Sequence, residues 1–209
     1  MDCYACIRDG VFTMGLVTLV SGGLDSTLLA VLAKEEGIQQ QPLFINYGQI
    51  CKDKELVACI EVHRKYGLPV PAVMDLSGYG KLVPSGLTDT SMRINEDAFL
   101  PGRNLLFLLA GSAYAYQYNI KRVAIGFLSE NNSIFPDQTK KFIEMAQQLI
   151  TYILGREITI ITPLIEYTKR DVIELARKKG ISGTYSCHAG TTDPCGQCVS
   201  CLERINASK

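Results

Sequence analysis

The sequence predicts an α/β fold of the Rossmann-like kind, with a parallel five-stranded sheet and helices on both of its faces. From Leu16 onward, short aliphatic or β-branched runs alternate with longer helical patterns, which is typical of βαβ units. Glycines follow several of the helical stretches, where helices commonly end. The chain has 209 residues, of which 47% are hydrophobic and 20% charged, so it is long enough to bury its own core.

The elements follow one another regularly in the first half. Strands are predicted at Leu16–Val20, 42–46 and 70–75, and helices at 26–36 and 52–66, each helix being followed by a glycine. Residues 76–102 show no clean period and carry Gly, Pro, Ser and Asp at short intervals. They are predicted to form a long functional loop or a small inserted element.

The second half continues the alternation. Helices are predicted at Arg103–Gln117, 140–153 and 169–179, and strands at 122–127 and 158–162. The first of these helices is apolar on nearly every side, so it is expected to be buried. Pro163 ends the fifth strand, and Gly180 follows the last predicted helix. The sheet therefore has five strands in this interpretation.

Composition excludes several classes of protein. Lys and Arg total 21, as do Asp and Glu, so the net charge is zero and the basic footprint of a nucleic-acid binder is missing. The apolar runs are too short to span a bilayer, and no basic region leads into an apolar run at the N-terminus. We expect a soluble cytoplasmic protein that binds neither membranes nor, directly, nucleic acid.

A glycine-rich turn between the first strand and the first helix is the most informative motif. It reads Ser21-Gly22-Gly23-Leu24-Asp25-Ser26 and fits neither GxxxxGK[ST] nor GxGxxG. The glycines let the backbone approach an anion, the N–H groups of Leu24 to Ser26 lie at a helix N-terminus, and the two serines supply hydroxyl groups. The turn predicts a pyrophosphate cradle in which Asp25 holds Mg²⁺ on the phosphates. The competing interpretation is a structural turn with Asp25 or Ser26 as the helix N-cap.

The order of these six residues resembles the PP-loop of the ATP pyrophosphatases. That resemblance implies cleavage of ATP between the α and β phosphates and transfer of AMP to a substrate oxygen. A carboxylate activated in this way can be attacked by a nitrogen or sulfur nucleophile, which displaces AMP.

A cluster of cysteines near the C-terminus has the spacing of a metal site. Four of the eight cysteines fall within fifteen residues: Cys187, Cys195, Cys198 and Cys201. Tetrahedral Zn²⁺ suits four thiolates, and the polar segment after residue 181 is then expected to fold around the metal. An iron–sulfur cluster is the main rival, and reduced thiols without a metal are the third interpretation. His188 is interpreted as a neighbour of the ligands, and Cys3 with Cys6 as incidental thiols.

These motifs divide the chain into three regions. Residues 1–14 are predicted to be an N-terminal tail, 15–181 a PP-loop ATP-binding α/β domain, and 182–209 a cysteine-rich zinc-binding tail.

Further motifs become specific in combination with the turn and the cysteines. They are Tyr47-Gly48-Gln49, Leu100-Pro101-Gly102-Arg103-Asn104, Gly126, Phe135-Pro136-Asp137, Thr162-Pro163-Leu164 with Lys169, and the terminal Cys-Gly-Gln-Cys-x2-Cys-Leu-Glu-Arg. With them, the chain from about Leu16 to Arg204 resembles the 7-cyano-7-deazaguanine synthase (QueC) family. The resemblance implies a fold like that of the HUP-type adenine-nucleotide α-hydrolases.

The resemblance also implies an activity. An ATP-dependent carbon–nitrogen ligase of this kind adenylylates the carboxylate of 7-carboxy-7-deazaguanine. With ammonia it forms the amide and then the nitrile, 7-cyano-7-deazaguanine, and it releases AMP and pyrophosphate. ATP, Mg²⁺, bound Zn²⁺ and a homodimer are expected with it.

Site residues follow from the positions that match the family's motifs. The nucleotide is expected to contact Val20, Ser21, Gly22, Gly23, Leu24, Asp25, Ser26, Thr27, Tyr47, Gln49, Arg103, Asn104, Gly126 and Asp137. The expected catalytic residues are Asp25, Ser26, Arg103 and Lys169. Lys169 would neutralise charge on the phosphates or on the tetrahedral adduct. The competing interpretations are a surface charge at a helix start for Arg103 and a solvated lysine for Lys169.

Two segments depart from the family's pattern. Ile50-Cys51 stands where the family has Arg-His, and residues 131–139 replace a stretch around DxSGYPDCR. Losing several polar groups beside a nucleobase pocket is expected to change which substrate or nucleophile is accepted. One hypothesis is therefore a divergent nitrile-forming synthase. The second is an enzyme that transfers the deazaguanine acyl group to a different amine, including one on a protein or nucleic acid, and stops at the amide.

Two other classes remain open at this point. A tRNA sulfur transferase shares the PP-loop, although the neutral charge disfavours it. A zinc-ribbon module that only binds a nucleotide is the non-enzymatic alternative.

Overall fold

The structure is a computed structural model that describes residues 15–129 and 135–207. The predicted tail at 1–14, with Cys3 and Cys6, lies outside the described residues. So do residues 131–134 of the second departing segment.

The sheet has five strands that are all parallel, as predicted. They are β1 (Leu16–Val20), β2 (Gln40–Asn46), β3 (Ala72–Asp75), β4 (Arg122–Ala124) and β5 (Thr159–Ile161). Their order across the sheet is β3-β2-β1-β4-β5. The order reverses between β1 and β4, and ligands of such sheets bind beyond the carboxyl ends of the strands at this switch point.

Seven α-helices are described. They are α1 (Leu24–Glu35), α2 (Lys52–Lys65), α3 (Ser77–Leu82), α4 (Arg103–Gln117), α5 (Lys140–Leu154), α6 (Lys169–Lys178) and α7 (Val199–Ala207). Among the described residues, none of the helices combines the length and the apolar character needed to cross a bilayer.

Two apolar cores cover the two faces of the sheet. Alternate residues of β1 point to opposite faces: Val17 and Leu19 pack with Leu108 of α4 and Ile150 of α5. Leu16 packs on the other face with residues of α1 and α6, including Leu28, Leu29, Val172 and Ala176. Each buried strand face is therefore covered by a pair of helices, which confirms the predicted arrangement.

Several elements differ from the predicted ones. Strand β3 begins at Ala72 rather than at residue 70, because Pro71 has no N–H group to donate to the ladder. Strand β4 ends at Ala124 rather than at 127, since the chain then turns past α1, bringing Gly126 beside Asp25. Helix α4 is not buried all round: Leu109 and Tyr116 are exposed.

Two helices were not predicted as such. The short helix α3 lies within the segment expected to be a loop or small element. Helix α7 lies in the tail that was expected to fold only around a metal. It begins directly after Cys198, so Cys201 sits one helical turn further on and close to it in space.

Candidate active site and metal centre

The glycine-rich turn leads from β1 directly into α1. Gly23 is the N-cap residue and no side chain caps the helix, so Asp25 and Ser26 lie in the first turn and neither is the N-cap. Ser21 Oγ lies 3.1 Å from Ser26 Oγ, and the Gly23 N–H donates to Ser21 Oγ at 3.3 Å. Because the first N–H groups of a helix have no partner within it, this turn can bind an anion.

Gly22 is required at its position for two reasons. Its φ of +77° lies in the left-handed region. A Cβ atom there would stand 2.6 Å from the backbone N of Cys59 and 2.6 Å from the backbone O of Glu55, so α2 packs directly against the turn. The carbonyl of Gly22 also accepts a hydrogen bond from the N–H of Tyr185 at 2.9 Å. The cysteine-rich segment is thereby tied to the turn.

Asp25 is paired with Lys169. Lys169 Nζ lies 2.8 Å from both carboxylate oxygens of Asp25 and 4.0 Å from Oε2 of Glu203. Lys169 is only 6% exposed, so it is not the solvated lysine of the competing interpretation. Burial raises the pKa of Glu203, against the influence of the Lys169 cation. Two carboxylates and one ammonium group therefore meet at the first turn of α1.

A cavity at the switch point brings most of the predicted site residues together. Its lining includes Val20, Ser21, Gly23, Leu24, Asp25, Ser26, Tyr47, Gln49, Arg103, Asn104, Gly126 and Lys169. These residues come from β1, α1, α4, α6 and the segments after β2 and β4, all at the carboxyl end of the sheet. Leu87 and Ala98 of the segment between β3 and α4 also line the cavity.

Three of the predicted site residues do not line the cavity. Gly22 faces α2, Thr27 is buried in α1, and the Asp137 side chain points elsewhere. Asn104 Nδ2 donates to the backbone oxygen of Asp137 at 3.0 Å, so this aspartate contributes its carbonyl to the site's framework. Its carboxylate Oδ1 is buried and has no hydrogen-bond partner in the part of the chain that the structure describes.

Arg103 opens α4 and extends over aromatic rings. Its guanidinium carbon lies 5.8 Å from the ring centres of both Tyr47 and Phe107. Such stacking orients the cation, one N–H group donates to the Tyr47 hydroxyl, and the other N–H groups of the fork can serve a ligand. Arg103 is therefore more than a surface charge at a helix start.

Glu55 is a cavity residue that the sequence interpretation missed. Gln49 Nε2 donates to Glu55 Oε2 at 3.1 Å, and the backbone N–H of Tyr47 donates to Gln49 Oε1 at 2.9 Å. Burial raises the pKa of Glu55 to about 6, while hydrogen bonds from Gln49 and Cys51 oppose the rise. No motif spacing singled out this glutamate, because it lies six residues beyond Gln49 on an ordinary amphipathic helix.

His188 also lines the cavity. Its Nδ1 atom is buried and finds no hydrogen-bond partner among the described residues. Burial lowers the pKa of the imidazole to about 4, and the cations of Arg103 and Lys169 act in the same direction. The ring is therefore neutral at physiological pH. Only its position beside Cys187 pointed to it in the sequence.

The four cysteines of the C-terminal cluster converge. The sulfur atoms of Cys187, Cys195, Cys198 and Cys201 all lie within 4.8 Å of one another, and those of Cys195 and Cys201 are 4.0 Å apart. A tetrahedral ion with metal–sulfur distances of about 2.3 Å requires sulfurs about 3.8 Å apart. The donor set therefore fits one small ion with four thiolate ligands.

Backbone groups prepare one of these thiols for metal binding. Burial opposes ionisation of Cys187, but hydrogen bonds from the Cys195 N–H, the Thr191 hydroxyl and the Ala189 N–H outweigh it and lower the pKa to about 6. Burial raises the pKa of Cys198 to about 12. A cation is thus needed to hold all four as thiolates together.

Comparison with known proteins identifies the family. The family model described as "Queuosine biosynthesis protein QueC" matches residues 15–209. This chain belongs to the QueC family. A protein of Campylobacter jejuni named 7-cyano-7-deazaguanine synthase is 32% identical over 207 residues, covering 90% of each chain. A relative of that name from Oceanobacillus iheyensis is 31% identical over 201 residues, again covering 90% of each chain.

Solved structures show the same fold at low sequence identity. The U34-tRNA thiolase NcsA of Methanococcus maripaludis, solved with a [4Fe-4S] cluster, has a TM-score of 0.56 at 17% identity and covers 96% of this chain and 68% of its own. An NMN synthetase of Francisella tularensis has a TM-score of 0.53 at 16% identity and covers 99% and 82%. The QueC-family chain thus shares its fold with proteins that carry quite different names.

Proposed function

We propose that this QueC-family protein is an ATP-dependent ligase that converts 7-carboxy-7-deazaguanine and ammonia to 7-cyano-7-deazaguanine, releasing AMP and pyrophosphate. The observation that carries the proposal is the cavity in which the glycine-rich turn, Arg103 and Lys169 meet, in a chain whose relatives bear that synthase name.

The glycine-rich turn and the two cations have different roles in adenylylation of the carboxylate. The free N–H groups at the start of α1 bind the phosphates, while Arg103 and Lys169 offset the charge that develops as the carboxylate oxygen attacks the α-phosphorus. The bond from the α-phosphorus to the bridging oxygen breaks, and pyrophosphate leaves. Ammonia then displaces AMP from the acyl carbon to give the amide. A second adenylylation, on the amide oxygen, allows loss of AMP and a proton to give the nitrile.

We propose Mg²⁺ and Zn²⁺ as the metal ions. Asp25 would hold Mg²⁺ on the phosphates once its pair with Lys169 opens, and Glu203 is the nearest further carboxylate to that lysine. Zn²⁺ would be held by the four converging thiolates and would stabilise the fold of the C-terminal segment. A closed set of four ligands leaves no position for a substrate, so the proposed role of the zinc is structural.

A homodimer is the proposed assembly. Helices α4 and α5 expose large apolar side chains, among them Leu109, Tyr116, Met145, Leu149 and Tyr152. A patch of this kind is typical of a protein–protein interface. Sedimentation equilibrium should give twice the chain mass of 23.0 kDa, and a monomer at micromolar concentration would reject this assembly.

The experiment that tests the function measures the products formed from the carboxylic acid substrate. The zinc-loaded protein is incubated with 7-carboxy-7-deazaguanine, ATP, Mg²⁺ and ammonia, and mass spectrometry measures acid, amide and nitrile. Nitrile formation with two AMP per product supports the proposal. Absence of any ATP-dependent product rejects it.

A second candidate function rests on the departures near the cavity. Cys51, which stands where the family has His, is 2% exposed and donates its thiol to Glu55. Cys51 lies behind the cavity, and through its contact with Glu55, which lines it, this change favours an enzyme that stops at the amide and accepts another amine. Accumulation of amide without nitrile, or of an adduct with an added primary amine, would favour this alternative.

A further inference from the structure

Glu55 is a partly buried carboxylate in the wall of the cavity; burial raises its pKa and the charge of Arg103 lowers it from a distance, but the two residues form no direct ion pair. Glu55 takes part in none of the ion pairs within 4.0 Å between described residues. Its hydrogen-bond donors are neutral, namely the amide of Gln49 and the thiol of Cys51. A carboxylate offers about four acceptor positions, so two donors leave room for more. A ligand in the cavity can occupy the remaining acceptor positions.

Gln49 fixes the orientation of this carboxylate. The backbone N–H of Tyr47 donates to Gln49 Oε1 at 2.9 Å, which leaves Gln49 Nε2 to donate to Glu55 Oε2 at 3.1 Å and to Ile45 O at 3.3 Å. Gln49 is 5% exposed, so water does not compete for these contacts. Glu55 is therefore preorganised to accept hydrogen bonds.

The side chains that line the cavity beside Glu55 can contact the faces of a flat heterocyclic ligand. The rings of Tyr47 and Phe107 are 5.3 Å apart and line the cavity together with the apolar side chains of Leu87 and Ala98. Aromatic and aliphatic walls with a few convergent polar groups are typical of sites for heterocyclic ligands. Arg103, over the same two rings, supplies donors, whereas Glu55 is an acceptor, so a ligand edge that faces Glu55 must donate.

We propose that Glu55, held by Gln49, selects the substrate by accepting hydrogen bonds from two adjacent donors of a guanine-like ring, the ring N–H and the exocyclic amino group. This assignment rests on the proposed function and adds the residue that recognises the hydrogen-bond donors of the substrate ring. An adenine-like edge places an unprotonated ring nitrogen next to its amino group, and that nitrogen repels a carboxylate. A hypoxanthine-like edge keeps the ring N–H and lacks the amino donor.

The test compares two ligands and three proteins. The ligands are 7-carboxy-7-deazaguanine and its analogue without the exocyclic amino group. The proteins are the wild type, Glu55→Gln, and Glu61→Gln as a matched control, since Glu61 is an exposed residue of the same helix outside the cavity. Calorimetry measures the affinity of each zinc-loaded protein for each ligand with a non-hydrolysable ATP analogue present, and for the ATP analogue alone.

The wild type and Glu61→Gln should prefer the amino-bearing ligand by about 10- to 100-fold, the range of a charge-assisted hydrogen bond. Glu55→Gln should reduce this preference to about threefold or less, because one amide oxygen replaces the carboxylate and an amide N–H faces the ligand's donors. Affinity for the ATP analogue should be the same in all three proteins. Equal affinity of the wild type for both ligands overturns the proposal without any variant, which covers the case that Glu55→Gln fails to fold.

The two hypotheses fail in different ways. If the wild type forms no product from 7-carboxy-7-deazaguanine, the proposed function fails and this assignment fails with it. If the wild type forms product and Glu55→Gln keeps the full preference for the amino group, only the role of Glu55 is overturned.

Discussion

Replacing Gly22 by alanine tests how closely α2 and the glycine-rich turn are packed. The left-handed backbone at φ +77° costs an alanine about 1–2 kcal/mol. The added Cβ would lie 2.6 Å from backbone atoms of both Glu55 and Cys59, which cannot move without shifting α2, and such overpacking costs about 1–3 kcal/mol more. The free energy of unfolding should therefore fall by about 2–5 kcal/mol.

Gly37 provides a matched control. Its φ is +71°, and nothing lies within 4 Å of the Cβ that an alanine would add, so Gly37→Ala should cost only the conformational 1–2 kcal/mol, approximately. Urea unfolding at constant zinc measures both variants, and calorimetry measures MgATP binding, which only Gly22→Ala should weaken. Equal losses of stability in the two variants, with MgATP binding intact in both, would refute the packing argument.

Three further predictions concern charge, metal and pH. Asp25→Asn should slow pyrophosphate release by at least about 100-fold, because the carboxylate beside Lys169 is lost. A coupled phosphate assay measures the rate of release. The far-ultraviolet circular dichroism spectrum should stay unchanged, which shows that the variant is folded. Cys198→Ser should lose zinc, measured by atomic absorption, and unfold at lower urea; a stable, metal-free, fully active variant would disprove the structural metal. Burial raises the pKa of Glu55 from 4.5 to about 6 in the folded protein. The unfolded chain therefore loses this proton at lower pH than the folded protein does. The free energy of unfolding should fall by about 2 kcal/mol as pH rises from 4.5 to about 6. A urea series should show that Glu55→Gln removes the fall.

The alternation of strands and helices was predictable because it follows from local patterns. β1 ends at Val20 as predicted, since an aliphatic run meets a glycine-rich turn there. The predicted first residue of β3 was wrong because Pro69 and Pro71 precede this edge strand. Proline has no N–H group to donate, so pairing with β2 begins only at Ala72. Helix α7 was missed because its stability depends on cysteines that come together only in three dimensions.

The site shows the same division between motifs and tertiary contacts. The turn and the four cysteines have spacings that indicate their chemistry, so their positions could be predicted. The pairing of Lys169 with Asp25 joins residues 144 positions apart, whereas the sequence interpretation assigned Lys169 to the phosphates or the tetrahedral adduct. Glu55 and His188 belong to no spacing pattern; only their orientation into the cavity distinguishes them from ordinary side chains.

The hydrogen bond from Tyr185 to Gly22 joins the glycine-rich turn to the segment that carries the four cysteines, the two places where ions are proposed to bind. Ser186 and His188 follow Tyr185 and flank Cys187, the first of the four clustered cysteines, and both line the cavity. If both places bind the proposed ligands, this connection would link occupancy of one to affinity at the other, and thermodynamic reciprocity would make the coupling equal in both directions. Saturation with ATP would then protect the bound metal from chelators, and metal starvation would depress use of ATP before the enzyme itself is degraded.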